Sequence, residues 1–354
     1  MIILAGPFIG EFGWELSYWH AWLRYLKHNH FQDFKMIVSS YPEREPLYEF
    51  ADEFIPISNS FISKNYSQRA FFLDFNKSNI SILKKDLDNL YTDLRKKVAY
   101  ENYMHITCFP QKIKTTNFFY RVIKLIKVFN DKKEPFYYQN KCAGKIIKNP
   151  FHLNFPYKEK KYYPQYPDKK YRMFKELKNS NKAENETNKI IKSYQKKHIF
   201  TLFPRKREVR RSDKNWGEKN WKLFIDMLIK KYDPLIIICG TNDGSYFTDL
   251  DNNKNIYNSI KKKELIGLLD FQISLIRKSH ISIHSLSGSA ILSLMCKKDT
   301  FMYGDTRAYK EICIEGNPLN TNLKYYTDEG LNPKPINFFN QFEKFYEKIR
   351  LRNN

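Results

Sequence analysis

The chain has 354 residues, and its 42% hydrophobic and 16% aromatic content excludes a disordered protein, which needs low hydrophobicity. This length exceeds one ordinary compact core and suits two domains. The formal net charge is +23, with the excess concentrated between residues 112 and 222. Such clustering favours an anionic partner such as nucleotide phosphate, a membrane surface or nucleic acid, although a solvated lysine-rich surface explains it equally well. With no apolar segment of about 18 residues and no signal-peptide pattern, a cytoplasmic location is expected.

Strands and helices alternate along the N-terminal half. Apolar runs predict strands at 2–5, 35–39, 54–57 and 105–108, with helices at 14–28 and 46–50 and an amphipathic stretch at 80–98. Alternation of this kind predicts a parallel α/β sheet. Residues 1–156 are therefore expected to form one Rossmann-like domain.

A lysine-, tyrosine- and asparagine-rich stretch at 157–197 has little apolar periodicity and is interpreted as a polar linker or insertion. Alternation then resumes, with strands at 198–203, 235–239, 281–284 and 300–303 and helices at 218–231, 264–269, 272–278 and 287–295. Residues 198–335 are expected to form a second Rossmann-like domain, and 336–354 a C-terminal helix. Two such domains normally face each other across a cleft, where the function is expected.

A cationic segment, PRKREVRRSDKNWGEKNW at 204–221, lies between a predicted strand and a predicted helix. Helix N-terminal N–H groups favour an anion, arginine offers forked donors and lysine a point charge. Arg205, Arg207, Arg211 and Lys214 are therefore candidate diphosphate ligands. A basic surface loop without a ligand is the alternative.

A second candidate segment is IHSLSGSAILSLM at 283–295, where a strand ends in small polar residues before a helix. Ser287, Gly288 and Ser289 can present hydroxyl and N–H groups to phosphate oxygens, although serine is also simply a good N-cap. The turn CGTNDG at 239–244 follows a buried strand and could line the same cleft.

The order of these motifs resembles the nucleotide-sugar domain of GT-B glycosyltransferases, and most closely the heptosyltransferase-like group, glycosyltransferase family 9. The resemblance comprises P-R-x-R, K-N-W-x-x-x-N-W, a strand ending in C-G, S-x-S-G-S with A-x-L-S-L, and Y-G-D-T, and it covers about residues 198–310. It implies an α/β fold of GT-B type and a nucleotide-sugar donor. It also implies that Lys214 and the loop of Ser287, Gly288 and Ser289 face the donor diphosphate, with Thr241 near the nucleoside. Arg205, Trp216 and Ser285 are further candidate site residues in the same segments.

One departure concerns the phosphate loop. The family usually has an acidic residue and threonine before its glycine, where this chain has Leu286 and Ser287, so the donor stays open. A weaker likeness, VRRSDK at 209–214, is similar to a segment of fucosyltransferases that use GDP-fucose.

The first strand-to-helix loop, GPFIGEFGWELSYW, offers the acid/base group. In inverting members of the resembled family, a carboxylate on this loop deprotonates the acceptor hydroxyl, which implies Glu11 as general base. Gly10 beside it and Glu15 on the first helical turn are candidate substrate-binding residues, although Glu15 could merely complement the helix dipole. Trp14, Trp19 and Trp22 could stack on a sugar or pack into the core.

The expected reaction is direct displacement at the anomeric carbon, with Glu11 as base and Arg205, Arg207 and Lys214 stabilising the departing nucleoside diphosphate. No metal or other cofactor is expected, since the Asp-x-Asp pair at 86–88 falls in a helical stretch. A second such pair lies at 249–251.

The acceptor is expected to be a glycan or a lipid-linked glycan. Residues 117–129 set apolar side chains on one helical face with cations elsewhere, which suits either an anionic membrane surface, on the inner face of the membrane, or a domain core. Three alternatives remain: a nucleic-acid-binding protein, a glycosyltransferase acting on modified DNA, and an inactive GT-B scaffold.

Overall fold

The computed structural model describes residues 2–8, 12–62, 89–90, 92–97, 103–106, 138–140, 169–208, 211–248, 250–262 and 267–353. The chain divides into two compact units, Met1–Met173 and Phe174–Asn354. The boundary falls inside the stretch 157–197. None of the described helices combines the length and the hydropathy needed to cross a membrane.

The first unit contains a sheet of the order β3-β2-β1-β4-β5, parallel except for the antiparallel β4–β5 pair. Its strands are β1 Ile2–Ala5, β2 Lys35–Ser40, β3 Glu53–Pro56, β4 Tyr103–Ile106 and β5 Tyr138–Asn140. All four residues of β1 are buried, as expected for a continuous apolar run at the centre of a parallel sheet. The chain leaves β1 on one side for β2 and β3 and returns on its other side at β4.

The first helical region of this unit is Phe12–Trp14, followed by a π-helical turn Glu15–Trp19 and an α-helix His20–Asn29. Shorter turns lie at Glu45–Leu47 and Asn59–Ile62. Trp19 and Trp22 are 2% and 0% exposed, so they pack the helical region onto the core and are not free to stack on a sugar.

The second unit contains a six-stranded parallel sheet of the order β11-β10-β9-β6-β7-β8. Its strands are β6 Ile199–Phe203, β7 Leu235–Ile238, β8 Ile256–Asn258, β9 Ile281–His284, β10 Thr300–Tyr303 and β11 Leu323–Tyr326. The chain runs outward from β6 to β8 and then returns to β9 on the other side of β6. The boundary between β6 and β9 is therefore a topological switch point.

Five longer helices cover this second sheet: Asn181–Tyr194, Glu218–Tyr232, Leu268–Lys278, Gly288–Met295 and Pro335–Asn353. Aromatic side chains of Phe200, Trp221, Phe224, Phe338 and Phe342 lie together in its core, each fully buried. Large aromatic groups dominate the burial of apolar area, and the C-terminal helix is held to the sheet in this way.

The helix Asn181–Tyr194 occupies part of the stretch expected to be a polar linker. Its Ala183, Thr187 and Ile190 are buried at i, i+4 and i+7, and the helix packs against Leu268–Lys278. The expectation failed because this buried face contains so few apolar residues. The rest of the helix is charged and amide-rich and gives a linker-like composition.

Candidate functional site

Two loops leave the second sheet side by side at its switch point. Phe203, the last residue of β6, pairs in the parallel ladder with His284, the last residue of β9. The following segments, 204–208 and 285–289, therefore start at the same edge of the sheet on adjacent strands, about 4.8 Å apart. Ligands of open α/β sheets bind at this place.

The cationic loop after β6 is held in shape by one amide side chain. Asn215 Oδ1 accepts hydrogen bonds from Arg205 Nη1 at 2.5 Å and from the Arg207 N–H at 3.0 Å, and Asn215 Nδ2 donates to the Arg207 carbonyl at 2.7 Å. Three hydrogen bonds from one residue fix the backbone and the Arg205 guanidinium together. The Arg205 guanidinium and the Arg207 backbone are thus pre-organised.

Arg205 is 7% exposed, which is unusual for a charged side chain. Burial, with Arg207 nearby, lowers the pKa of its guanidinium to about 10, so it is still cationic at neutral pH. Arg207 is half-buried.

The other two predicted cations lie at the next turn, Ser212–Lys214: Arg211 directly precedes it, and Lys214 is its last residue. Arg211 is exposed, has φ +52° and binds the Asp213 carboxylate through Nε at 3.0 Å and Nη2 at 3.1 Å. Lys214 is half-buried. Burial opposes ionisation of Asp305, yet Arg307, the Ala308 N–H and, least of all, Lys214 hold the pKa of its carboxyl below the usual value. Lys214 therefore lies near Asp305, which follows β10.

The second loop reaches the N-terminus of the helix Gly288–Met295. Ser287, Gly288 and Ser289 are half-buried, and the Ser287 and Ser289 hydroxyl groups are hydrogen-bonded to each other at 2.6 Å. The Ser287 side chain makes no capping hydrogen bond to the helix backbone. N–H groups at the start of this helix point toward the edge of the sheet where an anion is favoured.

Below this loop lies a chain of buried polar groups, here called the His284 network, which comprises Thr201, Ser282, His284, Ser289 and Ser293. His284 Nδ1 is 3.2 Å from Ser289 Oγ, and its Nε2 is 2.9 Å from Ser282 Oγ and 3.0 Å from Ser293 Oγ. Thr201 Oγ1 donates to Ser282 Oγ at 2.8 Å. Burial lowers the pKa of His284 to about 3, so the network is neutral at pH 7.

The turn after β7 is tied to the cationic loop. The Lys206 N–H donates to the Gly244 carbonyl at 2.9 Å, and Arg205 and Ser245 form an isolated antiparallel bridge. Thr241 in this turn is exposed, and its carbonyl accepts from the Gly244 N–H at 3.0 Å. Thr241 is therefore on a loop that is attached to the Arg205 loop.

Two predicted substrate-binding residues face the interior instead. Trp216 is 2% exposed, and its indole N–H donates to the Pro333 carbonyl at 2.7 Å, so it packs the core and has no donor left for a ligand. Ser285 is fully buried beside Tyr303, whose pKa is raised by burial while the Ser285 hydroxyl opposes the rise. Both side chains are therefore buried.

In the first unit, the loop after β1 begins at Gly6, which has φ +108°. A Cβ there would lie 2.3 Å from the Ser39 carbonyl oxygen, so only glycine allows this close approach. Gly10 and the proposed base Glu11 lie outside the described residues, as do residues 117–129 and the Asp-x-Asp pair at 86–88.

A buried carboxylate lies directly after that loop, in what is here called the Glu15 cluster: Glu15, Ser40, Arg44 and Tyr48. Glu15 is 0% exposed, and its Oε1 accepts from Ser40 Oγ and, at 2.6 Å, from Tyr48 Oη. Its Oε2 is 3.7 Å from Arg44 Nε, and the Arg44 guanidinium lies 3.7 Å above the Phe12 ring. Burial raises the pKa of Glu15 although Arg44, Ser40 and Tyr48 all oppose the rise.

The carboxylate of Glu15, a predicted substrate-binding residue, is thus fully enclosed by protein groups. It joins the first helical turn to the segment after β2. Its partners lie 25 and 33 residues away in the sequence, and no local pattern marks them. Sequence reasoning also missed Asn215 and His284, for which the only signals are their places within K-N-W and at a strand end.

No family model matches the chain, and no curated protein matches it. Solved structures do. The ADP-heptose lps heptosyltransferase II of E. coli superposes with a TM-score of 0.51 at 12% identity, covering 98% of this chain and 98% of that one. A glycosyl transferase family 9 protein of Veillonella parvula gives a TM-score of 0.51 at 9% identity, covering 99% and 97%. These likenesses confirm the expected α/β fold of GT-B type, with two Rossmann-like domains.

Proposed function

We propose that the chain is a glycosyltransferase that moves a sugar from a nucleotide-sugar donor to a glycan or lipid-linked acceptor. One observation carries the proposal: at the switch point of the second unit, a pre-organised cationic loop leaves the sheet beside the N-terminus of the helix Gly288–Met295. Cations and helix N–H groups at that place suit a diphosphate. The ADP-heptose heptosyltransferase of E. coli shares this fold, which supports the choice of donor class.

In this proposal Arg205, Arg207 and Lys214 bind the donor diphosphate, with Arg211 at the rim and Thr241 toward the nucleoside. The Arg205 guanidinium is 7% exposed and cationic at neutral pH, so its attraction to an anionic diphosphate is little screened by water. Fixed cations also stabilise the negative charge that grows on the leaving diphosphate in the transition state, so the reaction needs no metal ion.

The chemical step is a direct displacement. The acceptor hydroxyl oxygen forms a bond to the anomeric carbon as the bond from that carbon to the diphosphate oxygen breaks, and Glu11 takes the hydroxyl proton. The products are the glycoside with inverted anomeric configuration and the nucleoside diphosphate. A positioned carboxylate base contributes about 10²- to 10⁴-fold to such a step.

Donor binding is tested by thermal stabilisation with ADP, GDP, UDP, CDP and dTDP, in EDTA and then with manganese. A ligand that binds only the folded state at a hundredfold excess over its Kd stabilises by about 2.7 kcal/mol. We expect a shift with one of these diphosphates in EDTA. No shift with any of them, together with a salt-sensitive shift on adding DNA or RNA, would replace this proposal with the nucleic-acid alternative.

Residue roles are tested with Arg207→Ala and Lys214→Ala, which should each weaken diphosphate binding about tenfold or more, since a charged hydrogen bond contributes about 1.5–3 kcal/mol. Lys230→Ala is the matched control, because Lys230 is an exposed cation at the far end of the next helix. Glu11→Gln should retain diphosphate affinity and lose sugar transfer. Equal affinity in all four variants and full transfer by Glu11→Gln would contradict these assignments.

A further inference from the structure

We propose that His284 is a positioning residue that turns the Ser289 hydroxyl proton toward the donor diphosphate. The inference rests on the proposed function and adds a group that does not itself touch the ligand. It follows from the connectivity of the His284 network.

The imidazole is held rigidly. His284 is 0% exposed and stacks on the ring of Phe203 with a centroid distance of 4.4 Å and an interplanar angle of 15°. Phe203 and His284 are the last residues of β6 and β9, so the ring lies between the origins of the two loops that form the candidate site. A ring stacked in this way cannot rotate to change partners without disrupting both strand ends.

The two ring nitrogens have different surroundings. Nε2 faces the interior and two hydroxyl groups, Ser282 and Ser293, whereas Nδ1 faces only Ser289 among the hydrogen bonds of the described residues. A neutral imidazole has one donor and one acceptor nitrogen, and the partner of one nitrogen decides the role of the other.

The interior hydroxyls offer Nε2 a proton. Thr201 donates its proton to Ser282 Oγ, which leaves the Ser282 proton to be donated onward, toward His284 Nε2 or Ser293. In this proposal Nε2 takes the acceptor role, so that the ring proton resides on Nδ1 and is donated to Ser289 Oγ.

This assignment sets the direction of the Ser289 hydroxyl. With one lone pair of Ser289 Oγ engaged by Nδ1–H, the Ser289 proton is directed away from the histidine, toward Ser287 at 2.6 Å or a ligand oxygen. Ser289 is the second residue of the helix Gly288–Met295, at the end where an anion is favoured. The buried network thus makes Ser289 a donor to phosphate rather than an acceptor.

Two substitutions separate the roles of the ring nitrogens. The amide of asparagine reaches about as far as Nδ1, and that of glutamine about as far as Nε2, while both remove the stack on Phe203. We expect His284→Asn to keep the Kd for the diphosphate within about threefold of wild type and His284→Gln to weaken it about tenfold. Both variants should lower the Tm to a similar extent, so a purely structural role predicts equal losses of affinity.

A double-mutant cycle tests whether His284 acts through Ser289. Ser289→Ala should itself weaken binding about tenfold, and adding His284→Gln to it should cause no further loss, since the oriented group is already gone. The Kd is measured with whichever of ADP, GDP, UDP, CDP and dTDP stabilises the wild type most, and KM and kcat with the matching sugar nucleotide. The loss of donor affinity should be seen as an increase in KM and in Kd.

The outcomes distinguish two failures. If the wild type binds a diphosphate but the two substitutions are additive, or if Asn and Gln variants lose affinity equally, the positioning role is wrong and the donor site stands. If the wild type binds none of the five, the proposed function and the positioning role both fail.

Discussion

The two units place opposite kinds of polar group beneath the loops that leave their central strands. In the first unit, the Glu15 cluster pairs a fully buried carboxylate with Arg44, whose side chain is 21% exposed. In the second, the His284 network is made of hydroxyl groups and a neutral imidazole. A buried ion pair is sensitive to the loss of either partner, whereas a neutral network mainly orients its members. We therefore expect the Glu15 cluster to contribute mainly to stability, and the His284 network to set the orientation of its hydroxyl groups.

We expect the largest effect from a substitution that disrupts the Glu15 cluster. Glu15→Ala removes the acceptor of Ser40 and Tyr48 and the counter-charge of Arg44, and breaking a buried pair costs about 3–5 kcal/mol. We expect a loss of about 4 kcal/mol in the free energy of unfolding, measured by urea denaturation. Asp33→Ala, which removes an exposed carboxylate of the same unit, should change it by less than about 0.5 kcal/mol. Similar values for the two variants would mean that the cluster does not stabilise the unit.

The glycines that follow β1 and β7, Gly6 and Gly240, give the next contrast. In Gly6→Ala the new Cβ meets the Ser39 backbone oxygen at 2.3 Å, and the residue is held at φ +108°, so a loss of about 3 kcal/mol is expected. In Gly240→Ala, at φ +135°, the Cβ meets the Ser245 hydroxyl at 2.2 Å.

Only the second clash can be relieved by trimming a side chain. Ser245→Gly should therefore recover part of the loss caused by Gly240→Ala, as measured by urea denaturation of the two single variants and the double variant. A backbone oxygen offers no such rescue, so the Gly6 variant should lose more. An equal or smaller loss for Gly6→Ala would show that the segment after β2 can move away from β1.

Lowering the pH should change the contributions of the two clusters to the free energy of unfolding in opposite directions. Burial lowers the pKa of His284 to about 3, so the unfolded chain binds the extra proton below about pH 6.5, and stability falls as the pH falls through that window. The loss is about 2 kcal/mol per such histidine at pH 5. In the first unit, burial lowers the pKa of His105 to about 3 and of His20 to about 4, with the same sign.

Glu15 acts in the other direction, because its raised pKa makes the folded carboxyl take up a proton first as the pH falls. We therefore expect His284→Asn to flatten the fall in stability between pH 7.5 and pH 5 and Glu15→Gln to steepen it. Urea denaturation at both pH values, followed by tryptophan fluorescence, measures the change. Parallel curves for wild type and His284→Asn would mean that His284 is not buried neutral.

The elements around the switch point could be predicted from the sequence because their signals are local. β6 and β9 are apolar runs followed at once by cations or by small polar residues, and both features survive in the structure. The Glu15 cluster could not be predicted, since burial and pairing across 25 to 33 residues depend on how the strands of the sheet are ordered. The direction of Trp216 was missed because the motif around it gives spacing and not orientation.

The helix Asn181–Tyr194 and the strands β8 and β11 were missed for a different reason. β8 has three residues and β11 four, too few for an alternation to be recognised, and the helix has only a narrow buried stripe. Such elements form because of tertiary packing, since their composition alone is ordinary for exposed loops.

The smallest expected change in stability concerns the start of the second unit, at the helix Asn181–Tyr194. Ser180 caps the helix Asn181–Tyr194: its Oγ accepts from the Ala183 N–H at 3.2 Å and donates to Asp270 Oδ2 at 2.6 Å. Ser180→Ala should therefore cost about 1 kcal/mol of stability, since loss of a serine cap costs about 0.5–2 kcal/mol. Ser193→Ala is the control, because that hydroxyl only bonds back to the Ile190 carbonyl within the same helix, and little change is expected.

If the helix belongs to the folding unit of the second sheet, Ser180→Ala lowers the unfolding midpoint reported by Trp216 and Trp221, which lie in that core. A linker that frays independently would instead lose helical signal while that midpoint stays unchanged. The hydrogen bonds of Ser180 to Asp270 on the helix Leu268–Lys278, through its N–H at 2.9 Å and its hydroxyl, favour the first result. They couple the start of one helix to the first turn of another, so fraying of the first exposes polar groups of both.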